Sequence, residues 1–169
     1  MNAPSPSPAT SVRSSQQPLV YLAEDDADLR RLVTDALIGA GFKVLSASDG
    51  HEMLRLLSAA SRGEIDAPDA LVLDVRMPRC SGLDVLAALR LADWDQPIVV
   101  MTGFGDAVLH DQASSRGASV VLDKPFESDD LVRMLDILLL FSGQPDEDGC
   151  QEPPTLRCRL RPTSARSAD

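Results

Sequence analysis

Apolar and polar positions along this chain follow two alternating periods. Leu19–Ala23, Phe42–Ala47, Ala70–Leu73, Ile98–Met101 and Val120–Leu122 are short runs rich in apolar residues, each followed by polar or turn-forming residues. Runs of this length read as strands. The barest of them, Ala70-Leu71-Val72-Leu73 running into Asp74, reads as a strand buried on both faces. Between the runs the spacing becomes helical. Leu29, Leu32, Val33, Ala36, Leu37 and Ala40 form one stripe, with Asp28, Arg30, Arg31 and Asp35 off it and Gly41 stopping it. Met53, Leu54, Leu57 and Ala60 mark a second helix, opened by Asp49 with Glu52. Val85, Ala88, Leu89 and Ala92 mark a third, opened by Ser81 with Asp84. Both openings have the spacing of a capping box. A fourth helix is expected over about 106–116, stopped by Gly117. A fifth covers about 128–141, with Leu131, Met134, Leu135 and Leu138 on one face.

Five strand-then-helix units predict an α/β domain, a parallel sheet with helices on both faces and right-handed crossovers. That domain spans residues 18–143. Residues 1–17 are rich in Pro, Ser and Ala without periodicity and read as a disordered leader. Residues 144–169 read as a disordered tail, acidic at its start (Asp146, Glu147, Asp148) and carrying Arg157, Arg159 and Arg161 later. No second domain and no helix-turn-helix is expected there.

Composition narrows the function. Aromatic residues are 4% of the chain, so the core must be aliphatic. The net charge of −10 falls entirely within residues 18–143. Such a domain does not bind nucleic acid through a general basic surface; it suits cations or basic partners. No apolar run approaches the roughly 20 residues of a membrane span, and the N-terminus lacks the regions of a signal peptide. A cytoplasmic protein is expected, with Cys80, Cys150 and Cys158 as free thiols.

The chemistry gathers at the strand ends. Parallel strands direct their C-terminal ends to one edge, where open α/β sheets place their ligands. That edge would collect Glu24 and Asp25, Asp74, Thr102 and Lys124. One polar strand end is ordinary turn chemistry. Four of five, mixing three carboxylates with a hydroxyl and an ammonium, point to a shared site. Crowded carboxylates repel one another, and a small hard cation such as Mg²⁺ relieves the repulsion while leaving room for a phosphate oxygen. Lys124 can face phosphate as a point charge and Thr102 as a hydroxyl donor. Asp74 is then a third ligand or a nucleophile, since aspartate forms acyl phosphates.

Glu24-Asp25, Asp74 followed by Met77-Pro78 and Ser81-Gly82, Thr102-Gly103 and Lys124-Pro125-Phe126 together resemble the receiver domain of two-component response regulators. The resemblance covers residues 18–143 in order and spacing. It implies a flavodoxin-like doubly wound sheet of order 2-1-3-4-5. It also implies that Asp74 accepts a phosphoryl group from a phosphohistidine on a sensor kinase or histidine phosphotransfer protein. Glu24, Asp25, Asp74 and the backbone carbonyl of Arg76 would hold Mg²⁺. Lys124 would pair with the phosphate ahead of a cis peptide to Pro125, Thr102 would turn to a phosphoryl oxygen, and Gly103 would be the small residue beside it. Arg76 is close enough to affect how partners or water approach.

One position departs from the family pattern: Val121 stands where an aromatic residue usually reports phosphorylation by turning inward. The expected protein is a stand-alone response regulator that catalyses only its own phosphorylation and dephosphorylation and switches a downstream partner. A receiver that binds partners without phosphorylation is one alternative. A Mg²⁺-dependent phosphohydrolase is another, because haloacid-dehalogenase-type phosphatases share the inventory; they place the nucleophile first and a second aspartate two residues on, whereas here the acid pair comes first and position 76 is arginine. His51 and His110 are expected to be exposed helix residues without a phosphotransfer role. Ile137, Leu139, Leu140 and Phe141 make the end of the last helix apolar nearly all round, a candidate homodimer or partner surface.

Overall fold

In the computed structural model, which describes residues 17–103 and 107–142, five strands form one all-parallel sheet. They are β1 (Leu19–Ala23), β2 (Lys43–Ala47), β3 (Ala70–Asp74), β4 (Ile98–Gly103) and β5 (Val120–Lys124), in the order β2-β1-β3-β4-β5. Helices α1 (Ala27–Gly39), α2 (Gly50–Ser61), α3 (Gly82–Leu91), α4 (Ala107–Ser115) and α5 (Ser128–Phe141) alternate with the strands. The expected doubly wound flavodoxin-like fold is the observed one. The readings of residues 1–16 and 144–169 as disordered fall outside the described residues.

Alternate strand residues supply two separate cores, as strand pleating requires. Tyr21, Leu71, Leu73 and Val100 face α2, α3 and α4, packing with Met53, Leu57, Leu86, Leu89 and Ala113. Val20, Leu22, Val72, Val99 and Met101 face α1 and α5, packing with Val33, Leu37, Leu131 and Leu135. Every residue of β3, the central strand, is buried. The edge strand β2 leaves Lys43, Leu45 and Ser46 exposed. It begins at Lys43 rather than at Phe42, whose amide closes the end of α1 on the Leu37 carbonyl. Gly41, at a φ of 97°, makes that closure possible in a backbone region that side chains disfavour.

The predicted helix starts are present. Ser81 and Asp84 form a reciprocal capping box on α3, and the Asp49 carboxylate accepts from the Glu52 amide at the start of α2. At the far end of α5, Ile137, Leu140 and Phe141 are exposed, whereas Leu139 packs in part against the second core. The apolar end of that helix is therefore narrower than the sequence suggested. Among the described residues no helix is long and apolar enough to cross a membrane.

Candidate functional site

Strand register sets the level at which each functional side chain emerges. Ala23 of β1 pairs with Leu73 of β3, so Glu24 and Asp74 leave their strands side by side. Asp74 pairs with Met101, one residue before Thr102, and Gly103 pairs with Lys124. The strand order reverses direction between β1 and β3, which places this edge at the switch point of the sheet.

Side chains complete the convergence. Carboxylate oxygens of Glu24, Asp25 and Asp74 all lie within 4.8 Å of one another. The Lys124 ammonium reaches two of them, at 2.7 Å from Glu24 Oε2 and 2.8 Å from Asp74 Oδ1. Glu24 is 1% exposed and Asp74 4%, while Asp25 opens to solvent. Thr102 is fully buried, and its hydroxyl has no hydrogen-bond partner among the described residues. A buried hydroxyl at this edge can donate to an acceptor placed beside it.

The two members of the ion pair feel this crowding differently. Burial pushes the Glu24 carboxyl above its ordinary pKa; the Lys124 bond pulls it back, but the neighbouring Asp74 charge adds to the rise. Burial also acts against the Lys124 charge, yet the hydrogen bonds that its ammonium donates to Asp74 and Glu24 outweigh it and hold the ammonium above its usual value. The contrast has a simple origin: Lys124 faces two anions, whereas Glu24 faces one cation and one anion.

Two turns hold the acids in place. In the β1–α1 turn, the Asp26 carboxylate caps α1 by accepting from the Leu29 amide at 2.8 Å, while the Asp26 amide donates to Glu24 Oε1 at 3.3 Å. Arg30 Nη1 donates to the Glu24 carbonyl at 2.7 Å and to the Asp25 carbonyl at 3.3 Å. In the β3–α3 turn, the Val75 amide bonds the Met101 carbonyl at 2.9 Å and Gly82 bonds back to Val75. A Cβ on Gly82 would lie 2.9 Å from the Asp74 carbonyl carbon and closer still to its oxygen. Arg79 pairs with Asp49 and ties this turn to the start of α2. Arg76 is exposed within the turn, and the Lys124–Pro125 peptide is cis.

Three carboxylates without sulfur or imidazole make a donor set suited to a small, hard, oxygen-seeking cation. Their mutual repulsion, only partly offset by one lysine, supplies the reason to bind one. Asp74 combines burial with an adjacent ammonium and two carboxylate neighbours.

A family model described as the response regulator receiver domain matches residues 20–136. The chain belongs to that family. Among curated relatives, this receiver is similar to the transcriptional regulatory protein FixJ of Bradyrhizobium diazoefficiens, 36% identical over 117 residues, covering 69% of this chain and 54% of that protein. It is also similar to the C4-dicarboxylate transport transcriptional regulatory protein DctD of Rhizobium meliloti, 37% identical over 119 residues, 70% of this chain and 25% of that protein. The chain thus spans between a quarter and about half of these relatives' lengths. Among solved structures, a putative response regulator from Chloroflexus aurantiacus superposes with a TM-score of 0.66 at 28% identity, covering 74% of this chain and 99% of that one. NtrX of Brucella abortus superposes with a TM-score of 0.67 at 26% identity, covering 75% of this chain and 28% of that one.

All the site residues read from the sequence lie at one edge of the receiver. Glu24, Asp25, Asp74 and Lys124 meet directly; Thr102 and Gly103 end the neighbouring strand, and Pro125 and Arg76 flank them in the adjoining turns. Val121 packs half-buried against the core that faces α2, α3 and α4. Two contributors escaped the sequence reading. Asp26 precedes the apolar stripe that begins at Leu29, which is a cap signal. Arg30 has no comparable signal: it sits off the stripe of α1, and its role depends on where the turn aims two carbonyls.

Proposed function

We propose that this receiver takes a phosphoryl group from a phosphohistidine onto an oxygen of Asp74. The N–P bond to the donor imidazole breaks, an O–P bond to Asp74 forms, and an acyl phosphate results. Glu24, Asp25 and Asp74, with the backbone carbonyl of Arg76, would hold Mg²⁺, which supplies positive charge to the oxygens of the transferred group. Lys124, already bonded to Asp74 Oδ1, stands where negative charge accumulates on transfer. Thr102 offers its hydroxyl, without a partner among the described residues, to a phosphoryl oxygen, beside the small Gly103. The observation that carries this reading is the meeting of three carboxylates with one ammonium at the switch point of the sheet.

The donor would be a sensor histidine kinase or a histidine phosphotransfer protein in the cytoplasm. The chain would catalyse only its own phosphorylation and dephosphorylation, and the phosphorylated form would change its affinity for a downstream partner. With Val121 in place of an aromatic ring, that change would not run through ring rotation at this position. Exposed Ile137, Leu140 and Phe141 support a contact with a second copy through α5.

Incubation with acetyl phosphate and Mg²⁺ tests the reading. An acid-stable, base-labile label should appear, and Asp74→Ala should abolish it. A label that persists in that variant overturns the assignment. Steady turnover of a small phosphomonoester, lost in Asp74→Asn, would favour a phosphohydrolase instead.

A further inference from the structure

We propose that Arg30 is a positioning residue for the acid pair: its guanidinium holds the turn that aims Glu24 and Asp25 at one cation. This rests on the metal site described above and adds a residue to it. Adjacent residues of an extended strand point to opposite faces. Glu24 and Asp25 nevertheless bring their carboxylates together with that of Asp74, within 4.8 Å. The backbone must therefore turn where β1 ends, and the pairing of β1 with β3 has already stopped at Ala23. Beyond that point the Glu24 amide still bonds β2, through the Ala47 carbonyl at 3.2 Å. The carbonyls of Glu24 and Asp25 meet Arg30 Nη1, at 2.7 Å and 3.3 Å.

This contact fixes the orientation of two successive peptide planes from one helical turn along α1. Arg30 itself is half-buried and bonded to carbonyls, so it acts on the cation through the backbone of its ligands. A charged donor to a carbonyl is stronger than a neutral one, and a guanidinium can serve two acceptors that an ammonium reaches less well. Residues that orient metal ligands in this way commonly set affinity by tenfold or more.

Calorimetric Mg²⁺ titration of the full chain tests the proposal. Arg30→Met keeps the stem and removes every donor; its dissociation constant for Mg²⁺ should rise about tenfold. The Mg²⁺ concentration giving half-maximal labelling by acetyl phosphate should rise equally, while the plateau at saturating Mg²⁺ stays unchanged. Arg30→Lys should recover part of the loss. In metal-free protein, amides of residues 25–28 should exchange faster in Arg30→Met than in the wild type. Should Arg30→Met fail to fold, Arg30→Lys carries the test, with a dissociation constant at least about threefold weaker expected on the same grounds. An unchanged Mg²⁺ dissociation constant in a folded variant overturns the proposal, whatever happens to its melting temperature. Wild-type protein that binds no Mg²⁺, or binds it equally after Asp25→Asn, removes the metal site and this proposal with it. Binding by the wild type that is insensitive to Arg30 removes this proposal alone.

Discussion

Replacing Lys124 by Met probes the electrostatics of the site while keeping the length and apolar stem of the side chain. In the wild type one ammonium bonds both Glu24 Oε2 and Asp74 Oδ1, at 2.7 Å and 2.8 Å. The variant leaves two buried carboxylates beside a third, with their oxygens within 4.8 Å. At an effective dielectric of about 20, each carboxylate pair at that separation repels by roughly 3 kcal/mol. Removing one partner of a buried ion pair costs about 3–5 kcal/mol. The Lys124 side chain is 24% exposed, so water screens part of the interaction, and a loss of about 2–3 kcal/mol is expected. Urea unfolding at neutral pH in EDTA, followed by circular dichroism, reads that loss as a lower midpoint. Excess Mg²⁺ should then recover most of it, because a divalent ion meets more uncompensated charge in the variant than in the wild type. Stabilisation of the variant by Mg²⁺ must therefore exceed that of the wild type. Equal stability of the two proteins in EDTA, or an equal gain from Mg²⁺ in both, would refute the reasoning.

Alanine at two glycines should act with opposite sign. Gly82→Ala drives a Cβ into the Asp74 backbone and should cost about 1–3 kcal/mol as well as depress Asp74 labelling. At Gly39 a Cβ meets nothing within 4 Å, and Gly39→Ala should stabilise α1 by about 0.5–1 kcal/mol; urea midpoints check both. The pH dependence follows from the direction of each shift. Glu24 titrates above its ordinary 4.5 in the folded protein, so its contribution is favourable below pH 4.5 and is lost as pH rises through the elevated value. Glu24→Gln should accordingly be more stable than the wild type at pH 7 in EDTA and should gain less from Mg²⁺. Lys124 titrates above 10.5, so its contribution is complete below that pH and is lost as pH climbs through the raised value. Burial also raises the Tyr21 phenol, which adds to the same alkaline limb, so the quantity to measure is the difference between wild type and Lys124→Met above pH 10.5.

Much of the architecture was legible because each element carries a local physical signature. Buried strands need unbroken apolar runs, and Ala70–Leu73 has one. Helix starts need an acceptor for free amides, and the Ser81/Asp84 pair is written into four consecutive residues. The site was legible for a related reason: in a parallel sheet the C-terminal ends of the strands share one edge, so Glu24, Asp74, Thr102 and Lys124 could be placed together without knowing a distance. What the sequence hid depends on the geometry of turns and on long separations. The Arg30 contact to two carbonyls needs the β1–α1 turn in three dimensions. The Arg79–Asp49 pair joins loops 30 residues apart. Leu139 looked like surface alongside its neighbours, but helical phase turns it partly toward the core while Ile137, Leu140 and Phe141 stay exposed.

The proposed role of Asp74, to carry the phosphoryl group among acids gathered around one divalent cation, leaves a chemical trace at a single residue. Borohydride reduction of the acetyl-phosphate-treated protein, followed by peptide mass mapping, tests it most directly, because reduction converts an aspartyl phosphate into homoserine at the residue that held it. Homoserine at position 74, formed with Mg²⁺ and absent when EDTA replaces it, is the predicted result. Reduction product at another acid would rule out Asp74 as the acceptor, and the same yield at position 74 without metal would rule out the cation's part in the transfer.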